Sequence, residues 1–390
     1  MATRTFWWGR TSRLKRATER FGYDVFGRLK TSIDSAGNQT LYQCNTRGQL
    51  IRRVNALGRA VQFAYDRAHR LERLINENNE AYQFVYDRND NVVEEIGLDG
   101  IIKRIGHDAR GLPVSVTDAL GEPDAVILTM QRDALGRLTA KHARARSTSY
   151  RYDQVGQLLQ AQQYTDNGGP RIIHDNLLFT HSKRGELLSE AGHLGKLSHK
   201  FDELGNRTAT ALPDGRTINS LFYGDGHLHQ VNIDGEVVSD MERDDLHREV
   251  GRSQGALNTR FAYDTMSRKT SAQSAHRVEH EPVLRKEWVY DLGGEITQKR
   301  HSRNGVTNYL YDPLGRILST VAPARREMFS WDAAANLVDS NHRGGYVRHN
   351  RVLVFEDKRF EYDVHGRLES KRVGTHTEQH FSYDGEHRLR

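Results

Sequence analysis

The chain has 390 residues, with 57 Lys and Arg against 51 Asp and Glu for a formal net charge of +6. A mean hydropathy of −0.74, and no run near the ~18 consecutive apolar residues of a spanning helix, exclude a helical membrane protein. The 16 Tyr, 13 Phe and 4 Trp argue against global disorder, and a single Cys excludes both an intrachain disulfide framework and a cysteine-based zinc site.

The first element is a basic aromatic segment over residues 1–20, where Phe6, Trp7, Trp8 and Gly9 precede a run of Arg and Lys. Residues 1–30 hold eight basic and two acidic side chains, leaving 49 of each sign over the remaining 360. The body of the chain is therefore neutral and the excess charge local. Such an arm could stack on bases and pair with phosphates, but a strand or plug packed against the rest is the expected role. It is no secretory signal, because its apolar stretch is too short and no small-residue cleavage site follows.

From residue 21 to residue 390 one pattern recurs, aromatic-Asp-x-x-Gly-Arg/Asn-Leu. It starts at Tyr23, Asp24 and Gly27, then passes Cys44 and Asn45, Tyr65 and Asp66, Tyr86 and Asp87, and His107 and Asp108. These first five place their Asp or Asn 21 residues apart. Later copies lie at Tyr152, Asp153 and Gly156; Tyr263 and Asp264; Tyr290, Asp291 and Gly294; and Tyr311, Asp312 and Gly315. Tyr362, Asp363 and Gly366, then Tyr383 and Asp384, close the series. Weaker copies bring the total to about sixteen units. Asp suits the first position of a type I turn, and Gly the fourth, where φ turns positive. A type I turn plus a left-handed residue is the three-residue hairpin loop with a G1 bulge. Where Gly is missing, His69, Asp90, His247, Ser267, Ala335 and His387 stand in its place. Between copies lie second turns, as at Asp34–Gly37, Asn55–Gly58, Asp118–Gly121 and Pro213–Gly215. Flanking segments such as Val61–Tyr65 alternate apolar and polar residues at period two. The spacing predicts an all-β fold of on the order of thirty strands, a continuous antiparallel run of hairpins with one apolar face to bury. Twist must curl such a ribbon into a spiral, tube or shell.

No residue set for catalysis emerges. Repeated turn aspartates share one environment, whereas acid/base work needs two carboxyl groups in different ones. His276/His280 and His376/His380 have helical metal-site spacing, but on a strand four residues span about 13 Å, too far for two ligands of one ion. His227-Leu228-His229 reads as a solvated loop beside a Gly-rich turn, and Cys44, in an aromatic position, as a buried inert thiol. Arg outnumbers Lys 45 to 12, which suits carboxylate pairing and stacking on rings along a sheet surface. No catalytic residue, metal or cofactor is expected.

The repeat, as in Phe360-Glu361-Tyr362-Asp363-Val364-His365-Gly366-Arg367-Leu368, resembles the Rhs/YD repeats of bacterial Rhs proteins, of the C component of Tc toxins and of teneurins. The resemblance covers about residues 21–390. It implies a hollow, non-enzymatic β-shell around a C-terminal toxin polypeptide, made in the bacterial cytoplasm and delivered, often by type VI secretion. Implied partners are the toxin cargo, further Rhs repeats, and a secretion spike or chaperone; no small-molecule substrate or nucleic acid is expected. Asp312-Pro313-Leu314-Gly315 has the first letters of the family's core-ending motif, but Arg316 replaces its Leu and further repeats follow, so it reads as an ordinary turn. No toxin domain is visible. Two other classes stay open: an adhesin or carbohydrate-binding repeat protein, and nucleic-acid binding through the basic arm.

Overall fold

The computed structural model describes residues 2–4, 18–144, 146–165, 170–224, 226–278, 282–338 and 346–390. The basic arm at 5–17 lies outside the described residues, as does His280. The described residues contain no helix and form 38 strands, the first thirty in one sheet.

The turn chemistry sets this architecture. Strand Ala60–Tyr65 runs into Asp66, whose N–H donates to the Arg70 carbonyl at 2.9 Å while His69 N–H donates to the Asp66 carbonyl at 3.0 Å. The Asp66 carboxylate accepts the Arg70 amide at 2.9 Å, so the turn is tied from both sides. The ladder slips between Ala64 and Tyr65 and then pairs Tyr65 with Leu71, the signature of a bulge. Identical slips precede Tyr23, Tyr86, Tyr152, Tyr263, Tyr311 and Tyr362. Because the slip recurs at the same motif position, the aromatic and the Leu six residues on face each other in most repeats. Gly27, Gly156, Gly294, Gly315 and Gly366 have φ between 75° and 96°, and all six Gly substitutes named above also have positive φ.

The chain divides into two compact units. The first comprises residues 1–130, 290–297 and 307–390. Its strands from Ala2–Arg4 onward pair each with the next, antiparallel. Its last part ends in a four-stranded sheet from Val354–Phe355 to Thr377–His380. The second unit, residues 131–289 and 298–306, is the same meander, unbroken from Leu138–Ala143 to Pro282–Tyr290.

The expectation of a buried apolar face needs correction. Among the described residues the buried hydrophobic ones are few and mostly small, namely Val61, Ala119, Val126, Ala140, Ala143, Tyr164 and Met241, and no large hydrophobic side chain is fully buried. A ribbon one sheet thick has no second layer over most of its faces. Its cohesion must come from backbone ladders and from bonds between turns.

Candidate functional site: the repeat turns

Each turn is a joint between neighbouring repeats. Asp66 holds Arg70 through Oδ2, 2.8 Å from the guanidinium Nε. Arg70 Nη1 then reaches forward to donate to the Asp87 carbonyl in the next turn at 3.0 Å, and its guanidinium lies 4.5 Å from the Tyr86 ring centre. Tyr86 reaches back, its hydroxyl donating to the Leu71 carbonyl at 2.7 Å. The same exchange links Arg137 with Asp153 and Tyr152, Arg248 with Asp264 and Tyr263, and Arg316 with Asp332 and Trp331. Tyr311, Tyr362 and Tyr383 make the backward bond at 3.1, 3.0 and 2.9 Å. Sequence reading treated the aromatic as an apolar face residue and missed the hydroxyl bond. Its signal was the preference for Tyr over Phe, with Trp, which also carries a donor, at position 331.

Electrostatics follow the geometry. The Arg70 amide, then its guanidinium, hold the Asp66 carboxyl below the usual range despite partial desolvation. Arg137 does the same for Asp133, chiefly through its side chain. In Asp87 the amide of Asn91 plays that part. Burial pushes the phenols of Tyr86, Tyr152 and Tyr263 up. Asp24, Asp363 and Asp384 pair with Arg28, Arg367 and Arg388 four residues on, whereas Asp291 faces Glu295 and is tied by that residue's amide at 2.9 Å. Each of these carboxylates is engaged within its own turn.

In the first unit a second row of turns meets the first. The turns between repeats, residues 34–37, 55–58, 76–79, 97–100 and 118–121, form one row. Facing it are the repeat turns of residues 291–387. Asn78 donates to Asp332 at 2.9 Å, the His349 amide to Glu80 at 3.0 Å, and Arg351 to Asp99 at 2.7 Å. A cavity of about 590 Å³ between the rows is lined by Ala36 and Ala56 on one side and Pro313 and Leu314 on the other. The register advances steadily along both rows, so a later pass of ribbon lies against an earlier one.

At the end of this seam Asp118, His365 and His387 converge, which no sequence spacing could reveal across about 250 residues. His365 has a side chain only 2% exposed; Nδ1 lies 2.6 Å from Asp118 Oδ2 and Nε2 3.1 Å from the Asp124 carbonyl. Both ring nitrogens thus face oxygen atoms of the earlier pass. His387 Nδ1 is 3.0 Å from Arg367 Nη1, a donor only, which puts the His387 proton on Nε2, toward Asp118 at 3.6 Å. The ligand-type atoms of the three side chains all lie within 4.8 Å of one another.

Other singled-out residues fall apart spatially. His276 ends the strand Lys269–His276; His376 sits in a turn beside Thr375, and His380 at the end of the strand Thr377–His380. The loop expected at His227–His229 is instead the start of strand His227–Ile233, because the Gly-rich turn ends just before it. His227 stacks on His247 at 3.7 Å between ring centres, and His229 Nδ1 bonds the Met241 carbonyl at 3.1 Å. Cys44 ends its strand half-buried rather than buried, paired with Leu50.

The RHS Repeat family model matches residues 23–60 and 45–81, and the Teneurin YD-shell model residues 237–390. The chain is 36% identical over 393 residues to a double-stranded DNA deaminase toxin A of Burkholderia cenocepacia, covering 96% of this chain and 27% of that protein. It is an Rhs/YD-repeat protein. Toxin protein Tse5 of Pseudomonas aeruginosa is 29% identical over 301 residues, 65% of this chain and 20% of Tse5. The solved structure of a Photorhabdus luminescens Tc holotoxin pore superposes with a TM-score of 0.58 at 12% identity, covering 96% of this chain and 25% of that one, and so shares its fold. This Rhs/YD-repeat chain spans about a quarter or less of the length of these relatives. Among its described residues no helix is long and apolar enough to cross a membrane.

Proposed function

We propose that residues 21–390 are part of the non-enzymatic wall of a bacterial toxin shell, enclosing a toxin polypeptide and protecting it until delivery. On this reading residues 1–20 are a basic N-terminal segment tied to the wall through the strand Ala2–Arg4, which pairs with residues 19–21. The repeat turns from Tyr23 and Asp24 to Tyr383 and Asp384 serve as structural joints, with no reaction centre among them. Synthesis in the producer's cytoplasm, with export by a type VI apparatus and contact with its spike or a chaperone, completes the proposal. The observation that carries it is the 96% coverage of this chain by a toxin of which it represents only 27%, which leaves most of such a protein for other repeats and cargo. A ribbon held by its turns rather than by a core supports it, because its faces stay free to contact a partly unfolded chain.

Limited proteolysis of the protein expressed from its whole gene tests this. Enclosure requires a toxin segment that survives protease doses which digest the same segment expressed alone. Equal digestion in the two settings, or a gene encoding nothing beyond repeats, would sink the proposal.

A further inference from the structure

The seam within the first unit ends in a cluster that carries the donors of a metal site. Among the described residues, Asp118, His365 and His387 are the one group of three whose ligand-type atoms come together in this way. Asp118 differs from its counterparts along the row. Asp34 and Asn55, which open the corresponding turns, spend a side-chain oxygen on the amides two and four residues on. The Asp118 carboxylate instead turns across the seam, where Oδ2 lies 2.6 Å from His365 Nδ1 and 3.6 Å from His387 Nε2. On the other side of the His365 ring, Nε2 faces the Asp124 carbonyl at 3.1 Å, which can only accept. A proton on Nε2 leaves Nδ1 with a lone pair opposed to a carboxylate oxygen, and that contact needs a cation between the two atoms. A carbonyl on the outer nitrogen is also the usual support of a metal-bound histidine, because it fixes the tautomer and aims the inner nitrogen at the ion. The side chains of His365 and Asp118 are 2% and 23% exposed, while His387 at 38% leaves one flank open to solvent.

We propose that Asp118 Oδ2, His365 Nδ1 and His387 Nε2 bind one divalent transition ion of the zinc class, with water in the fourth position, and that the ion clasps the later pass of ribbon to the earlier one. Two imidazoles and a carboxylate suit zinc and its neighbours rather than calcium or magnesium, which take oxygen ligands. Tetrahedral bonds of about 2.1 Å set donor atoms roughly 3.4 Å apart. The Asp118–His387 separation already has that value, and the Asp118–His365 contact has to open by about 0.8 Å on binding. One group opposes the ion. Arg367 Nη1 donates to His387 Nδ1 at 3.0 Å; a metal on Nε2 moves the ring proton to Nδ1, and Nη1 must then withdraw. The Nε and Nη2 atoms of Arg367 stay with Asp363 as this happens, so the turn itself is kept.

Equilibrium dialysis of the untagged full chain against zinc, combined with thermal unfolding, tests the proposal, which does not depend on any cargo. Wild type should hold one zinc per chain, and its unfolding temperature should rise as free zinc passes the dissociation constant; magnesium and calcium should do neither. His387→Gly should weaken zinc binding by at least ~tenfold, the loss typical even of an outer-shell change, and should abolish the thermal shift. Gly27, Gly315 and Gly366 hold the corresponding turn position at positive φ, so this variant keeps its turn while losing a ligand. Arg367→Asn should bind zinc more tightly than wild type. Asn91, Asn206 and Asn336 stand at the same motif position and keep the bond to the repeat Asp without a guanidinium. Wild type without a stoichiometric zinc, undiminished binding by His387→Gly, or binding by Arg367→Asn no tighter than wild type would overturn the assignment.

Discussion

Three residues after each repeat Asp the backbone enters the left-handed region, whether the residue is Gly or not. Ala335, at φ 66°, has neither the freedom of glycine nor a polar side chain to offset the strain, which is about 1 kcal/mol for an L-residue. Ala335→Gly should therefore stabilise the protein by roughly that amount, less a few tenths for the added freedom of the unfolded chain. A chemical-denaturation midpoint that falls would contradict this. The same turns dictate the acid response. Asp66, Asp87, Asp133 and Asp244 have lowered folded pKa values, so their stabilisation is complete above the ordinary 3.8 and is lost as pH drops through the lowered values. His199 and His387 are also lowered, chiefly by burial. The unfolded chain protonates these histidines first, so stability starts to fall below pH 6.5. Thermal melts between pH 8 and 2 should show a shallow loss below about 6.5 and a steep one below about 4; stability flat down to pH 3 would refute the assignment.

Among elements, the unit of cohesion is the pair of adjacent turns. Arg70 and Tyr86 are linked by a ring contact and by bonds running in opposite directions between the same two turns. Tyr86→Phe removes only the hydroxyl bond and should cost about 1 kcal/mol. In a double-mutant cycle Arg70→Ala and Tyr86→Phe should couple by at least ~0.5 kcal/mol, while Arg70→Ala combined with Tyr263→Phe, in the other unit, should add. Equal coupling in both cycles would mean that the joints are not local.

For the whole molecule, the repeat was legible because Asp, positive-φ residue and aromatic recur at fixed spacing, which fixes turn, bulge and strand together. Hence the meander could be read from residues such as Tyr65, Asp66 and Leu71 alone. The seam could not. His365 looks like any variable turn residue, and nothing near it in sequence announces Asp118, because stacking of separate passes depends on accumulated twist and insertions. The apolar-face expectation failed for a related reason: period-two alternation implies a covering layer only when a second layer exists. Asp118→Asn should test the seam by leaving His365 with one charged partner fewer, costing about 2 kcal/mol. Unchanged unfolding of that variant would show that the seam contributes nothing to stability.

The reach of Arg70 to the main-chain carbonyl of Asp87, and of Tyr86 to that of Leu71, has an evolutionary consequence. Both acceptors are backbone atoms, which every amino acid supplies. A repeat can therefore exchange the outward residues of its strands without weakening its grip on its neighbours. Selection can then remodel the ribbon's faces to suit whatever they touch while the joints, and with them the architecture, persist.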